Sequence, residues 1–298
     1  MDRRQFLSAS AAGVVLAQAS TVRAFDKRIN HKLCAFTKPF NSLSFDELAK
    51  QMAELGFDGI EAPIRKGGHV EPDQVEDRLP ELVEALTRHN LELTVMTSDV
   101  NDPRDPLTER VLKTAAGLGV KRYRMKYFKY DLAKPIRQQI EQWKPQVNEL
   151  AAMNKQLGIT GLYQNHSGKN YVGATLWDLP RLLDGVDRNQ LAVAYDIRHA
   201  TVEGGTSWPT TLKMISPHVS TVYVKDFQWG DAAKPKNVPL GQGRVDGREF
   251  VKMLRQMNYS GPISLHEEYL DHKQPKLVPD HLMALKKDIA TLKTWLTS

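Results

Sequence analysis

From Leu33 onward, short apolar runs alternate with polar loops and with longer stretches of helical periodicity, many of them closed by glycine. Eight runs have strand character: residues 33–36, 57–62, 91–97, 120–127, 159–164, 191–196, 219–225 and 262–266. Their starts lie roughly 24–43 residues apart, too far for hairpins and right for parallel strands joined by crossover helices. Helix signals fill the gaps. Ser44-Phe45-Asp46-Glu47 is a capping box ahead of Leu48, Met52 and Leu55, with Gly56 as the stop. Pro106 opens a helical stretch ending near Gly119, and Pro135 opens a longer one ending at Gly158. Eight strands, each followed by a helix, predict an α/β chain folded as a single (β/α)₈ barrel over residues 25–298. The rival, a doubly wound open sheet, lacks its Gly-x-Gly-x-x-Gly turn after the first strand, so no nucleotide cofactor is expected.

Residues 1–24 stand outside that pattern. Arg3 and Arg4 precede Phe6 and Leu7, a small-residue apolar stretch follows, and Ala17-Gln18-Ala19 and Val22-Arg23-Ala24 offer cleavage sites. This resembles a twin-arginine export signal, which implies a periplasmic protein and the twin-arginine machinery as a partner. An amphipathic first helix is the alternative. A stable membrane anchor is not expected, because the apolar stretch falls short of the ~20 residues a span needs.

Composition narrows the picture a little. The 298 residues carry 41 Lys and Arg against 35 Asp and Glu, a net charge of +6. Loss of residues 1–24 would remove three arginines and one aspartate and leave +4, with no basic stripe to argue for nucleic acid. The single cysteine, Cys34, cannot form an internal bridge and reads as core.

In a barrel, chemistry belongs at the C-terminal strand ends, where residues two apart share a face. Those ends are rich in ionisable groups. Strand two ends near Glu61 and runs into Arg65-Lys66-Gly67-Gly68-His69; strand four carries Arg122, Arg124 and Lys126 on one parity; strand five ends with Gln164 and His166 on one face. Strand six leads into Asp196-Ile197-Arg198-His199, strand seven ends Tyr223-Val224-Lys225-Asp226, and strand eight puts His266 and Glu268 on one face.

The phrases Asp-Ile-Arg-His-Ala (196–200), Val-Tyr-Val-Lys-Asp (222–226), Leu-Gly-Gln-Gly (240–243) and Gly-Pro-Ile-Ser-Leu-His (261–266), in that order, resemble the xylose isomerase-like TIM-barrel superfamily. That group includes sugar isomerases, keto-sugar epimerases and an apurinic endonuclease branch. The resemblance implies one divalent metal (Mn, Mg, Zn or Co) held by Glu, Asp, His and Glu at the ends of strands five to eight. Asp196 matches, and His199 matches a histidine that some members use nearby. Gln164, Tyr223 and His266 stand where the pattern has Glu, His and Glu, which lowers the charge of the site. The implied ligands are therefore Gln164, Asp196, His199 and His266.

The chemistry implied is proton transfer α to the carbonyl of an unphosphorylated sugar, an isomerase or epimerase reaction. Lys225, Glu268, His166 and Lys126 are its candidate acids, bases and electrophiles. Glu61, Arg65, His69, Trp208 and Trp229 are candidates to face the substrate. Each also has a plainer reading: His69 as a turn residue, the tryptophans as packing, and Arg122 and Arg124 as inter-strand salt bridges. The alternatives are a keto-glycoside lyase or hydratase, and a non-catalytic carbohydrate-binding barrel with a decayed metal site. A phosphodiesterase would need more histidines and carboxylates than this rim supplies. The expected partner is a small carbohydrate, not a nucleic acid, and a homo-oligomer is compatible with the sequence.

Overall fold

Ser44 opens the first helix as its sequence demands: its hydroxyl accepts from the Glu47 amide while the Glu47 carboxylate accepts from the Ser44 amide, a complete capping box. The computed structural model describes residues 31–298; the export signal expected over 1–24 lies outside the described residues. Eight strands close a parallel barrel: β1 (Leu33–Phe36), β2 (Gly59–Pro63), β3 (Glu92–Thr97), β4 (Arg122–Arg124), β5 (Thr160–Gln164), β6 (Leu191–Asp196), β7 (Val219–Val224) and β10 (Ile263–Leu265). β1 pairs with both β10 and β2, which completes the ring. The helices between them are α1 (Phe45–Glu54), α2 (Val75–Arg88), α3 (Pro106–Gly117), α4 (Ile136–Leu157), the single-turn α5 (Leu179–Leu182), α6 (Ile197–Gly204), α7 (Trp208–Ile215), α8 (Gly247–Gln256) and α9 (Val278–Thr297). All eight predicted strands are present. The run predicted at 120–127 is the one most shortened, to three residues, because its polar second half leaves the sheet for the rim.

An exposed antiparallel hairpin, β8 (Asp226–Trp229) and β9 (Pro235–Val238), follows β7 and was not foreseen. Its strands are short and half-polar, so no apolar run marks them. One aspartate braces its base. The Asp226 carboxylate accepts from the amides of Phe227, Gly241, Gly243 and Val245 at 2.8–3.0 Å. A Cβ on Gly243 would sit 2.2 Å from Asp226 Oδ1 and 2.4 Å from the Phe227 carbonyl, so the close approach demands glycine. The Leu-Gly-Gln-Gly phrase is thus a clamp on the residue next to Lys225.

Most of the apolar core lies between barrel and helices, with Leu48, Met52, Leu79, Leu112, Leu150, Leu212 and Leu254 buried against the outer strand faces. A smaller cluster of Val95, Leu162, Ala192, Ala194 and Tyr223 shares the inward parity and fills the barrel. Among the described residues no helix is long and apolar enough to cross a membrane.

Candidate active site

Above the inner apolar cluster, the same parity brings Glu61, Thr97, Arg124, Gln164, Asp196, Lys225 and His266 to the C-terminal end of the barrel, where side chains should fill a layer. Here the layer is polar and almost wholly sealed, with Glu61, Gln164, Asp196 and His266 at most 2% exposed. Such burial requires every charge to be paired, and the contacts form one chain of bonds. Glu61 accepts from Thr97 Oγ1 at 2.6 Å, Ser264 Oγ at 2.7 Å and His266 Nε2 at 2.9 Å, and its Oε1 lies 3.7 Å from Arg124. Arg124 donates to Gln164 Oε1 at 2.8 Å, and Gln164 Nε2 donates to Asp196 Oδ2 at 2.8 Å. Lys225 Nζ lies 3.3 Å from Asp196 Oδ2 and donates to Glu268 Oε2 at 2.7 Å. Glu268 Oε2 is in turn 3.8 Å from His266 Nδ1.

Protonation follows from these neighbours. Burial alone would raise Glu61, yet His266, Arg124 and Thr97 hold its carboxyl down at about 2. Burial would lower His266, but Glu61 and Glu268 raise it above the usual imidazole range. Burial would raise Glu268, and Lys225 and His266 hold it well below the usual carboxylate range. Burial opposes the charge on Lys225 as well, and Asp196 and Glu268 outweigh it and raise the ammonium. Each of these shifts favours the charged form of its group.

A second, neutral cluster adjoins the first. His166 packs on His199 with ring centroids 4.0 Å apart and on Tyr127 at 5.0 Å. Burial and the nearby Lys225 push His166 down to about 4. Its Nδ1 lies 2.9 Å from the Ser167 carbonyl, which only accepts, so Nδ1 carries the proton and Nε2 keeps a free lone pair. His199 is pushed well down by burial, Lys225 and His166. Its Nδ1 accepts from Arg198 Nη1 at 3.0 Å, so the proton is on Nε2, which faces Asp196 Oδ2 at 3.5 Å.

These residues do not fit the divalent metal that the resemblance implied. Gln164 turns its oxygen to Arg124 and Tyr127 and its amide nitrogen toward Asp196. The His199 nitrogen facing Asp196 is protonated, and His266 gives Nε2 to Glu61. The position between Asp196 and Glu268 holds the Lys225 ammonium. Among the described residues no group of three or more His, Cys, Asp and Glu is placed to hold a metal ion. Gln164 and His199 thus face Asp196, His266 faces Glu61, and Asp196 alone of the four lies beside the Lys225 ammonium, so the four do not converge as the ligand set the resemblance implied.

The other predicted residues lie at varying distances from this centre. Arg65 and Lys126 line an open cleft of about 910 Å³ on the same face, together with Lys38, Lys66, Asp99 and Lys273. Lys126 is exposed on its wall and makes none of the bonds of the buried layer, so it is not part of that catalytic constellation. His69 donates through Nε2 to the Thr37 carbonyl at 3.1 Å, and burial pushes it down to about 4. It pins the loop after β2 more than it addresses a ligand. Trp208 is a correction: it starts α7 and packs edge-on against Phe250, outside the barrel, at 6.1 Å. Trp229 sits on the hairpin, 48% exposed, against Phe227.

Arg124, Tyr127, Asn165 and Ser264 were missed. Arg124 makes the inter-strand salt bridge expected of it, to Glu61, and in addition donates to Gln164, which parity alone does not show. Asn165 accepts from the Asp196 amide at 2.7 Å and donates to its carbonyl at 3.0 Å, which fixes the turn that makes Asp196 the N-cap of α6. The sequence signal was its place directly after Gln164, on the opposite face.

No curated protein matches this chain in sequence. Solved structures resemble it. D-psicose 3-epimerase from Clostridium cellulolyticum H10 superposes with a TM-score of 0.67 at 14% identity, covering 89% of this chain and 99% of its own. The 3-keto-D-glucoside 4-epimerase of E. coli gives 0.66 at 17% identity, again covering 89% and 99%. The probable 3-DHS dehydratase of petrobactin synthesis from Bacillus anthracis gives 0.67 at 17% identity, covering 88% and 98%. Residues 49–289 match the xylose isomerase-like TIM barrel family, and the chain belongs to it.

Proposed function

We propose that the protein is a sugar isomerase or epimerase that moves a proton next to the carbonyl of an unphosphorylated sugar. The observation that carries this reading is the line of charges Asp196–Lys225–Glu268 at the C-terminal ends of β6, β7 and β10, the place where barrel enzymes work. Epimerases of similar fold, acting on D-psicose and on 3-keto-D-glucosides, support the substrate class. Enolisation needs a base at the α-carbon and a donor at the carbonyl oxygen.

Glu268 is the base in this reading, because its side chain is 24% exposed whereas Lys225 and Asp196 are 7% and 0% exposed. Lys225 donates to the developing enolate oxygen. As its hydrogen bond shifts from Glu268 to that oxygen, the carboxylate regains basicity when the proton must leave carbon. Asp196 stays behind as the fixed counter-charge. His166, neutral with a free Nε2, can accept a proton on the second face. With a leaving group β to the carbonyl the same abstraction gives elimination, so a keto-glycoside lyase is the second reading, favoured by the similarity to a probable dehydratase. Export by the twin-arginine route to the periplasm belongs to the proposal, and fits a substrate met outside the cytoplasm.

The test is incubation with aldoses, ketoses and 3-keto-glycosides in D₂O. Deuterium at the α-carbon, observed by NMR, is expected for one member of the panel. No exchange across the panel, with sugar binding intact, would leave a carbohydrate-binding barrel.

A further inference from the structure

The cleft beside the buried layer is lined by Lys38, Arg65, Lys66, Lys126 and Lys273, against one carboxylate, Asp99. That carboxylate is already engaged, accepting from the Lys66 amide at 3.1 Å. The ion pairs of this face are made by Arg124, Lys225 and the histidines; among the described residues none of the five cleft cations makes one. Elsewhere on the surface the chain pairs its arginines freely, as with Arg88 and Asp46 or Arg110 and Glu76. An unpaired cluster of one sign in a concavity is therefore a local feature.

The loop that carries Arg65 and Lys66 is held in place. Gly68 donates to the Arg65 carbonyl at 2.8 Å, the His69 amide donates to the Pro63 carbonyl at 2.8 Å, and Glu71 and Asn41 tie down Gly67. A Cβ on Gly68 would lie 2.4 Å from the Pro63 carbonyl oxygen, so the loop carrying Arg65 closes this tightly only with glycine. Lys38 and Arg65 link cleft to layer. Burial lowers Lys38, which also feels Glu268, Arg65, Arg124 and Lys225; burial and then Arg124 lower Arg65. Each is a partly buried cation whose acidic neighbour, Glu268 for Lys38 and Asp99 for Arg65, leaves its pKa lowered overall, a deficit that a bound anion relieves.

We propose that the substrate of this enzyme is a sugar acid, whose carboxylate binds in the cleft against Arg65, Lys38 and Lys126 while its carbonyl meets Lys225 and Glu268. This deepens the proton-transfer reading and rests on it. The guanidinium supplies the planar pair of donors that a carboxylate matches, and the lysines supply charge.

Calorimetry of the wild-type protein with matched ligands tests it: a hexuronate, an aldonate, the corresponding neutral hexose and the hexose 6-phosphate. The acids are expected to bind at least about tenfold tighter than the hexose, with the advantage shrinking as salt rises from about 50 to about 300 mM. Arg65→Gln and Lys38→Gln are each expected to erase most of that advantage while changing hexose affinity less than about twofold. Equal affinity for acid and hexose, tighter binding of the phosphate than of either acid, or an undiminished advantage in both variants overturns the proposal. The wild-type comparison stands even if a variant fails to fold. Binding needs no turnover, so acid selectivity without α-deuteration defeats only the enzymatic reading, and exchange on neutral sugars without acid selectivity defeats only this one.

Discussion

Lys225 Nζ lies 2.7 Å from Glu268 Oε2, and the same ammonium is 3.3 Å from Asp196 Oδ2, so one side chain directly after β7 neutralises a carboxylate at the end of β6 and another just beyond β10. Replacing it with methionine keeps the stem and removes the charge. The buried Asp196 carboxylate then loses its cation, while the half-buried Glu268 keeps only His266 at 3.8 Å, and leaving such a buried charge unpaired costs up to about 3–5 kcal/mol. Lys225→Met is expected to lower the urea midpoint accordingly and to reduce α-proton exchange at least about 100-fold. Lys225→Met with wild-type exchange would show that the electrophile lies elsewhere.

The same pair determines the response to metal. With Lys225 between Asp196 and Glu268, a divalent ion must displace an ammonium that both carboxylates raise above its ordinary pKa. Activity of the wild-type protein is expected to be unchanged by dialysis against EDTA and by added Mn²⁺. A fall in activity on chelation that Mn²⁺ restores would contradict the reading of the donor set.

Acid stability has a distinct signature. His69 and His166 are both held at about 4 chiefly by burial, against 6.5 unperturbed. Between those values the unfolded chain binds more protons than the folded one, so stability falls as pH drops from 6.5 towards 4. Glu61, held at about 2 against an ordinary 4.5, contributes stability present above 4.5 and lost as pH falls through 2. Thermal melts of the wild type are therefore expected to decline in two stages. His166→Asn should flatten the first stage and leave the second. Because Asp288, raised to about 7 by burial, contributes in the opposite direction over this window, the comparison with His166→Asn decides: the same pH dependence in variant and wild type from pH 6.5 to 4 would refute the buried neutral imidazole.

The eight strands were legible because barrel strands are apolar on both faces over four to six residues, bounded by glycine, proline or a charged rim. Strand-end parity also placed Glu61, Gln164, Asp196, Lys225, His266 and Glu268 on the inner face. What parity could not decide is which way a charge is satisfied. Arg124 reads from sequence like any strand-end arginine, and only the distance to Gln164 shows that it turns an amide nitrogen toward Asp196. Trp208 failed for a related reason: proximity in sequence to Asp196 does not survive the eight residues of α6, which carry the chain from barrel rim to outer wall. The hairpin was invisible because two four-residue strands with polar tips carry no periodic signal.

Asp226 and Gly243 connect the fold to the site through packing. Asp226 gathers four backbone amides and thereby fixes the chain direction immediately after Lys225. A methyl group at position 243 would meet a carboxylate oxygen and a backbone carbonyl, neither of which can rotate away without releasing those amides. Gly243→Ala is expected to cost about 2–4 kcal/mol, the scale of overpacking combined with unsatisfied buried donors. Asp226→Asn should also destabilise, because one oxygen still accepts two of the amides while the NH₂ group, which cannot accept, leaves the other two unsatisfied. If the clamp positions Lys225, any Gly243→Ala protein that remains folded should lose kcat for α-exchange with little change in the affinity for the sugar. An unchanged kcat in a destabilised Gly243→Ala protein would confine the clamp to folding.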